Sequence, residues 1–279
     1  MKKCLTYCGY IGLIGKTNVG KSTLLNKIIG KKISITSHKS GTTIKNIIGV
    51  KNILQYQLIY IDTPGLQNTY GINCNKTILY HNYHLNLIIF MINKTIWNQL
   101  DDLCLKKIKK YNIPTILIIN KIDFIKKKTI LLPFIQWVRK KYQFISILPL
   151  SAKTGENINI LLEIIKKNIP SGPHVFPSNY TTNVSKIFMI SEIIREKFIR
   201  LLHHELPYLI QIKIDSYKVN RLGICNIFAT IFVQKDKHKK IIIGVKGKKI
   251  KQGNLLARND IKKYLEQEVN LYIWVRKKI

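Results

Sequence analysis

The chain has 279 residues, with 47 Lys or Arg against 14 Asp or Glu and a formal net charge of +33 at pH 7. Five scattered cysteines without a C-x-x-C pair argue against a disulfide framework or a zinc site. No run reaches the roughly 18 apolar residues of a membrane span. The excess charge suits a polyanion such as nucleic acid, or an anionic membrane surface. An AT-biased genome would also encode many lysines, so any single Lys is equally a solvated surface residue.

Short apolar runs alternate with helix-length segments from the start of the chain to about Asn168. The pattern predicts strands over 7–14, 58–61, 87–92, 115–119 and 145–150, and helices over 21–29, 101–111, 131–142 and 158–168. Continuous apolar strands separated by helices predict an α/β domain, a mostly parallel sheet with helices on both faces.

The segment Gly15-x-x-x-x-Gly20-Lys21-Ser22 has the P-loop pattern and lies between a predicted strand and a predicted helix. The glycines let backbone N–H groups turn around a phosphate, and the helix directs its positive dipole end at that anion. Lys21 would reach the outer phosphates, and Ser22 would ligate Mg²⁺. The predicted phosphate-binding residues are Gly15, Asn18, Val19, Gly20, Lys21, Ser22, Thr23 and Gly65.

Three further motifs follow predicted strands in order. In Asp62-Thr63-Pro64-Gly65, the carboxylate can hold Mg²⁺ through a water and the glycine N–H can bond the terminal phosphate. Thr42 or Thr43 could complete the Mg²⁺ shell, and Thr43 is favoured. The predicted metal ligands are Ser22, Thr43 and Asp62.

The segments Asn120-Lys121-Ile122-Asp123 and Ser151-Ala152-Lys153 have the donors and acceptors that guanine needs. Asp123 can accept from both guanine N1–H and the exocyclic amine, a pair of donors that adenine lacks. Asn120 can face the O6/N7 edge, the Lys121 stem can lie over the base, and backbone N–H groups of the second segment can approach O6. The predicted guanine-binding residues are Asn120, Lys121, Asp123, Ser151, Ala152 and Lys153. The ordered set is typical of GTPases and predicts a GTP site.

The group that positions the attacking water is not evident. Ras-type proteins place a Gln directly after D-x-x-G, whereas this chain has Leu66 there and Gln67 one position later. Slow intrinsic hydrolysis is therefore expected. Asn18 resembles the Asn of GTPases with N-V-G-K-S loops, which implies a potassium ion beside the phosphates acting as an arginine finger does. Ordinary loop polarity is the alternative explanation of Asn18.

A Pro-rich segment, residues 170–183, reads as a linker to a small α+β domain. We expect a GTPase domain over 1–169, the linker, and a second domain over 184–279. The predicted elements of the second domain are a helix over 191–204, strands over 210–216 and 225–233, a helix over 253–268 and a strand over 271–276.

Residues Gly244-Val245-Lys246-Gly247 lie between an apolar run and a basic helix, where a KH domain carries its RNA clamp. In such a clamp the RNA backbone crosses a tight basic turn while about four bases lie on an apolar groove. A generic hairpin turn is the alternative. The predicted RNA-binding residues are Gly244, Val245, Lys246, Gly247, Lys248, Lys249 and Lys251.

With these motifs, the chain resembles the Era family of bacterial GTPases over nearly its whole length, in NVGKSTLLNK, DTPGL, NKID, SAKTGENI, SEIIREKF and GVKGKKIK. The resemblance implies a type II KH domain and a cytoplasmic, monomeric factor that uses GTP and Mg²⁺ to assemble the small ribosomal subunit. It also implies that the KH domain binds the 3′ end of the small-subunit ribosomal RNA, and that the GTP or GDP state gates this binding. Asn183 departs from the family, whose linker usually carries an acidic residue there.

Three other interpretations stay open. A related GTPase with a tRNA-modification or large-subunit role would share the first half but would lack the Gly-x-x-Gly clamp. A membrane-associated GTPase, held peripherally at an anionic inner membrane, agrees with the charge. An RNA-binding protein with a decayed nucleotide site is the non-enzymatic alternative, and the intact motifs argue against it.

Overall fold

The computed structural model describes residues 5–35, 47–63, 84–202 and 210–278, and every structural statement below concerns these ranges. They form two compact units, and the boundary between them falls between Asn183 and Val184. Each unit is described by itself. Among the helices of the described ranges, none has both the length and the apolar character needed to cross a membrane.

The first unit is built on a six-stranded sheet with the order β2-β3-β1-β4-β5-β6. Its strands are β1 (Tyr7–Ile14), β2 (Ile47–Ile53), β3 (Tyr56–Asp62), β4 (Leu85–Asn93), β5 (Thr115–Asn120) and β6 (Ser146–Leu150). Its helices are α1 (Lys21–Ile29), α2 (Gln99–Lys109), α3 (Leu131–Arg139) and α4 (Ile158–Asn168). All neighbouring strands are parallel except β2 and β3. The mostly parallel sheet confirms the predicted α/β class.

The central strands are buried on both faces of the sheet. Phe90 and Leu117 are paired on β4 and β5 and pack in one apolar cluster with Cys104 of α2 and Val138 of α3. The side chains on the other side of β4, such as Ile89, are also fully buried. The sequences of these strands are continuously apolar because neither face of the sheet meets water.

The edge strand β2 was not among the predicted strands. It pairs antiparallel with β3, and the chain turns between them at Leu54, which has a φ of 52°. Its sequence, IIGVKNI, contains a glycine and a lysine, so the apolar pattern is weak. A Cβ at Gly49 would lie 2.7 Å from the Cδ1 of Ile33, so a larger residue there would require the apolar side chains below it to shift.

Residues 170–183, predicted as a linker, form hydrogen bonds with the first unit, and their last residues lie along β2. The N–H of Val50 donates to the carbonyl of Thr181 at 2.8 Å. The N–H of Ile48 donates to the Oδ1 of Asn183 at 3.0 Å. The amide oxygen of Asn183 therefore accepts a backbone hydrogen bond of β2. The domain boundaries themselves stay a prediction.

The second unit has a three-stranded sheet with the order β7-β8-β9, in which β7 is antiparallel and β9 parallel to β8. Its elements are α5 (Lys186–Leu201), β7 (Gln211–Val219), β8 (Cys225–Val233), α6 (Asp236–Ile243), α7 (Lys248–Leu265) and β9 (Val269–Lys277). Helix α5 packs against α7 and β7, and α6 packs against β9. This is the small α+β domain that the sequence predicts.

Helix boundaries in this unit differ from the prediction. Helix α5 begins at Lys186, five residues before the predicted Ser191, because Ser185 caps it by accepting from the N–H of Phe188 at 3.2 Å. Residues 236–243 form α6. The sequence predicts only an apolar run at the end of this segment, before the glycine turn, and no helix. Helix α7 starts at Lys248 instead of Gly253, directly after the glycine turn.

Candidate functional site

The P-loop follows β1 and leads into α1, and both of its glycines have a positive φ and a neighbouring atom close to the place of a Cβ. Gly15 has a φ of 153°, and a Cβ there would lie 2.4 Å from the carbonyl oxygen of Met91. Gly20 has a φ of 104°, and a Cβ there would lie 2.2 Å from the Nδ2 of Asn120. The loop is thus formed by left-handed backbone packed against the neighbouring strand ends.

Lys21 lies across the loop. Its Nζ donates to the carbonyl of Gly15 at 3.0 Å and to that of Lys16 at 2.9 Å. Burial lowers the pKa of its ammonium, and the nearby Asp62 carboxylate opposes that shift. An ammonium held in this way can neutralise phosphate oxygens. Val19 is fully buried, and Thr23 is half-buried in the first turn of α1.

Ser22 and Asp62 meet at the predicted metal position. The Ser22 hydroxyl donates to the Oδ2 of Asp62 at 2.7 Å, and the Ser34 hydroxyl donates to the same oxygen at 3.2 Å. Burial raises the pKa of the Asp62 carboxyl, while Lys21 and the two hydroxyls oppose the rise. The buried Oδ1 has no hydrogen-bond partner among the described residues.

This donor set fits Mg²⁺. The ion takes oxygen ligands and is often held by one carboxylate, waters and substrate phosphates rather than by a protein cage. The described residues accordingly include no cluster of three or more His, Cys, Asp or Glu. The partnerless Oδ1 of Asp62 is an acceptor that a metal-bound water could satisfy. Thr43 and Gly65, the other predicted contacts of metal and phosphate, lie outside the described residues, as do Leu66 and Gln67.

Asn120, at the end of β5, joins two loops. Its Nδ2 donates to the carbonyl of Val19 at 2.6 Å, and its Oδ1 accepts from the N–H of Ala152 at 2.9 Å. The side chain is 2% exposed. This position favours a connecting role, and a direct contact with guanine stays a prediction. The Ala152 N–H is engaged by Asn120 in this structure, and the approach of backbone N–H groups of this segment to guanine O6 stays a prediction.

Asp123 and Lys121 lie beside this connection. The buried Ser151 hydroxyl donates to the Oδ1 of Asp123 at 2.8 Å, which fixes an exposed carboxylate. Lys121, with a φ of 65°, donates from Nζ to the carbonyl of Asn18 at 2.7 Å. Burial, followed by the charge of Lys94, lowers the pKa of Lys121. The structure thus brings the P-loop and both predicted guanine segments together.

In the second unit, the Gly-x-x-Gly turn (Gly244 to Gly247) separates α6 from α7. Gly244, Lys246 and Gly247 have φ values of 73°, 49° and 74°. The N–H of Gly247 closes the turn on the carbonyl of Gly244 at 3.1 Å. Val245 is 78% exposed, and Lys246, Lys248 and Lys251 are exposed, whereas Lys249 is half-buried against the turn. A tight turn followed by a helix N-terminus and lysines can bind a phosphate backbone.

Comparisons with known proteins match both units of the chain. Residues 10–121 match the family model of 50S ribosome-binding GTPases, and residues 205–278 match the KH domain. GTPase Era of Actinobacillus pleuropneumoniae serotype 3 is 44% identical over 277 residues, which cover 98% of this chain and 91% of the relative. GTPase Era of Haemophilus influenzae is also 44% identical, with 98% and 92% covered. The chain belongs to the Era family of GTPases.

Solved Era structures share this fold. Era in complex with MgGDPNP and nucleotides 1506–1542 of 16S ribosomal RNA is 35% identical, with a TM-score of 0.90 and 98% of this chain and 94% of that chain covered. A variant of Aquifex aeolicus Era bound to GDP·AlF₄⁻ is 34% identical, with a TM-score of 0.89 and the same coverage. Membership in the Era family confirms the predicted GTPase activity and the predicted pairing of a GTPase domain with a KH domain.

One contact of the Era P-loop was not predicted from the sequence. The Nζ of Lys16 lies 2.7 Å from the Oδ2 of Asp101, a fully buried carboxylate at the start of α2. The same carboxylate accepts from the N–H of Asn98 at 3.0 Å and completes the capping box of α2. The spacing of Asn98 and Asp101 could indicate the capping box from the sequence alone. The pairing of Asp101 with Lys16 joins residues 85 positions apart, and no local sequence pattern predicts it.

Proposed function

We propose that this chain is a GTP-controlled assembly factor of the small ribosomal subunit, which binds the 3′ end of small-subunit ribosomal RNA through its KH domain. The observation that carries the proposal is the presence in one chain of a formed P-loop with a Ser22–Asp62 pair and of a basic Gly-x-x-Gly turn. The solved Era complex with 16S ribosomal RNA supports the identity of the RNA. The GTPase family description names the large subunit, so the small-subunit role rests on the KH domain and on that complex.

The proposed GTP site uses the residues described above. Backbone N–H groups of the P-loop bind the phosphates, and Lys21 neutralises their charge. Ser22 and Asp62, with Thr43, would hold Mg²⁺, which would supply charge neutralisation on the phosphate oxygens. Asp123 reads guanine, Ser151 positions Asp123, and Asn120 keeps the guanine loop against the P-loop.

The proposed hydrolysis is slow without a partner. Leu66 stands at the position of the Ras-type glutamine, so the attacking water lacks that group. We expect a potassium ion near Asn18, or RNA and the assembling subunit, to raise the rate by stabilising developing charge.

The proposed gating begins at the third phosphate. Thr43 and Gly65 would contact only that phosphate, so GTP and GDP favour different conformations of their segments. RNA affinity should therefore differ between the two nucleotide states. Equal RNA affinity with GDP and with a non-hydrolysable GTP analogue would disprove the coupling.

The decisive experiment is GTP turnover by the purified chain in potassium and in sodium, with and without an RNA from the 3′ end of its small-subunit ribosomal RNA. The proposal expects turnover to rise with both potassium and RNA. Turnover insensitive to RNA, together with no RNA binding in any nucleotide state, would refute it. Peripheral contact with anionic membranes and a monomeric state stay predictions, for which salt-sensitive vesicle pelleting and light scattering are the tests.

A further inference from the structure

The outer face of the β7-β8-β9 sheet carries an aromatic array. Phe228 is paired with Tyr272, and Trp274 lies two residues further along β9 on the same side. The Phe228 ring centroid is 4.8 Å from that of Tyr272 and 5.8 Å from that of Trp274, with ring planes within 14° of parallel. Tyr272 and Trp274 are each 45% exposed. The three rings form one stack open to solvent.

Cations surround this stack. Arg276 continues the outer side of β9 and pairs with Phe232, and Lys213 and Lys218 face the same way on β7. All three cations are exposed. The strands of this sheet include one carboxylate, Asp215, which accepts a hydrogen bond from the Thr230 hydroxyl at 2.6 Å. The face is therefore aromatic and positively charged.

We propose that this aromatic face (Phe228, Tyr272 and Trp274, with Lys213, Lys218 and Arg276) stacks unpaired bases of an RNA strand. It is a second RNA contact besides the Gly-x-x-Gly turn, and it rests on the proposed RNA-binding function. Planar bases can extend an existing stack of parallel rings, and nearby cations can bind the phosphates between them.

The position of the face makes it separate from the turn. The buried side of the sheet packs against α5, α6 and α7, and the Gly-x-x-Gly turn lies between α6 and α7. The aromatic face is on the opposite side of the sheet. Cross-strand aromatic pairs also stabilise sheets, but that role needs neither nearly half-exposed rings nor a surrounding set of cations. Single-stranded nucleic acid fits both properties.

The first test uses Trp274 as a reporter. The chain has three tryptophans, so a full-length W97F/W137F protein leaves Trp274 as the single indole. An unstructured RNA of about 16 nucleotides should quench the fluorescence of Trp274. The midpoint of this titration should equal the midpoint measured from the fluorescence anisotropy of labelled RNA. When the substitutions K246E/K248E weaken RNA binding by the turn, RNA should still quench Trp274, but at higher RNA concentration.

The second test separates stacking from charge. Trp274→Leu should weaken RNA binding about tenfold, whereas Trp274→Phe should keep most of the affinity. Arg276→Ser should reduce the slope of log affinity against log salt by about 0.7, the value for one phosphate of a single strand. The control is Trp137→Leu on the first unit, where Trp137 is 44% exposed and no effect on RNA is expected. Circular dichroism and GTP turnover check folding.

Each result decides between the two proposals. Absence of quenching, with Trp274→Leu binding RNA as the parent does, overturns the inference. Loss of binding in K246E/K248E would in that case still support RNA binding by the turn. A parent chain that binds no RNA overturns both. Self-association that Trp274→Leu abolishes, without quenching by RNA, assigns the face to a second copy and also overturns the inference.

Discussion

The nucleotide site and the RNA turn use lysine in opposite ways. Lys21 is 6% exposed, and two backbone carbonyls hold its ammonium in place. Lys246, Lys248 and Lys251 extend from the Gly-x-x-Gly turn into solvent. A fixed, buried cation suits one ligand of defined geometry. Folding has already ordered the lysine side chain, so ligand binding does not have to order it again. Exposed cations suit a polyanion, whose binding is mostly electrostatic and depends on salt.

The largest effect is expected when the buried cation is removed. Lys21→Met should lower GTP turnover by roughly 100- to 1,000-fold, the range for loss of one preorganised charge donor. Its free energy of unfolding without nucleotide should change little, because relief from the unfavourable burial of the ammonium is offset by the loss of its charge beside the buried Asp62 carboxylate. Turnover and urea unfolding measure the two effects. Lys27→Met, on the exposed side of α1, is the matched control and should leave both unchanged.

Asp62→Asn should weaken Mg²⁺-dependent nucleotide binding about 10- to 100-fold. It should also stabilise the nucleotide-free chain. The folded-state pKa of Asp62 is raised by burial, so the wild type loses stability as pH rises from the ordinary pKa of about 4 to the raised value. The stability advantage of the variant should therefore widen as pH rises through that window and then level off. A gap in unfolding free energy that is constant from pH 4 to pH 8 would contradict the assignment.

The sequence predicts the motifs of the nucleotide site better than the long-range contacts that surround them. The motif positions follow from strand–loop–helix spacing, and α1 and α4 have the predicted bounds, because glycine, lysine and apolar residues act locally there. The pairing of Lys16 with Asp101 and the position of Asn120 against Val19 depend on residues 85 and 101 positions apart. Strand β2 depends on pairing with β3 more than on its own pattern. Such contacts follow from tertiary packing, which local patterns do not encode.

The Lys16–Asp101 pair tests how much the buried site depends on long-range contacts. Lys16→Ala leaves a fully buried carboxylate without its cation, and should destabilise the chain by roughly 2 kcal/mol. Asp101→Ala also removes the capping box of α2. The double variant should therefore be less destabilised than the sum of the two single variants. Additive losses in urea unfolding would show that the pair does not couple the P-loop to α2.

A comparison of two glycines with positive φ distinguishes the cost of backbone strain from the cost of a steric clash. Gly20 and Gly30 both have a positive φ, of 104° and 82°, but only at Gly20 would a Cβ meet another atom, the Nδ2 of Asn120. Gly30→Ala should cost about 1 kcal/mol from backbone strain alone. Gly20→Ala should cost about 1–2 kcal/mol more and should weaken GTP binding, which unfolding and nucleotide titration measure. Equal losses would show that Asn120 moves aside freely.

The smallest single effects are expected at the exposed lysines. Lys246→Ser, Lys248→Ser and Lys251→Ser should each weaken RNA binding only a few-fold, and each should reduce the slope of log affinity against log salt by about 0.7. Because each exposed lysine binds through charge with little fixed geometry, the losses should add, and GTP turnover without RNA should stay unchanged. Lys167→Ser on α4 is the control for a lysine of the first unit. A single substitution that abolishes binding at every salt concentration would mean that the turn holds RNA as the P-loop holds phosphate, through a fixed contact.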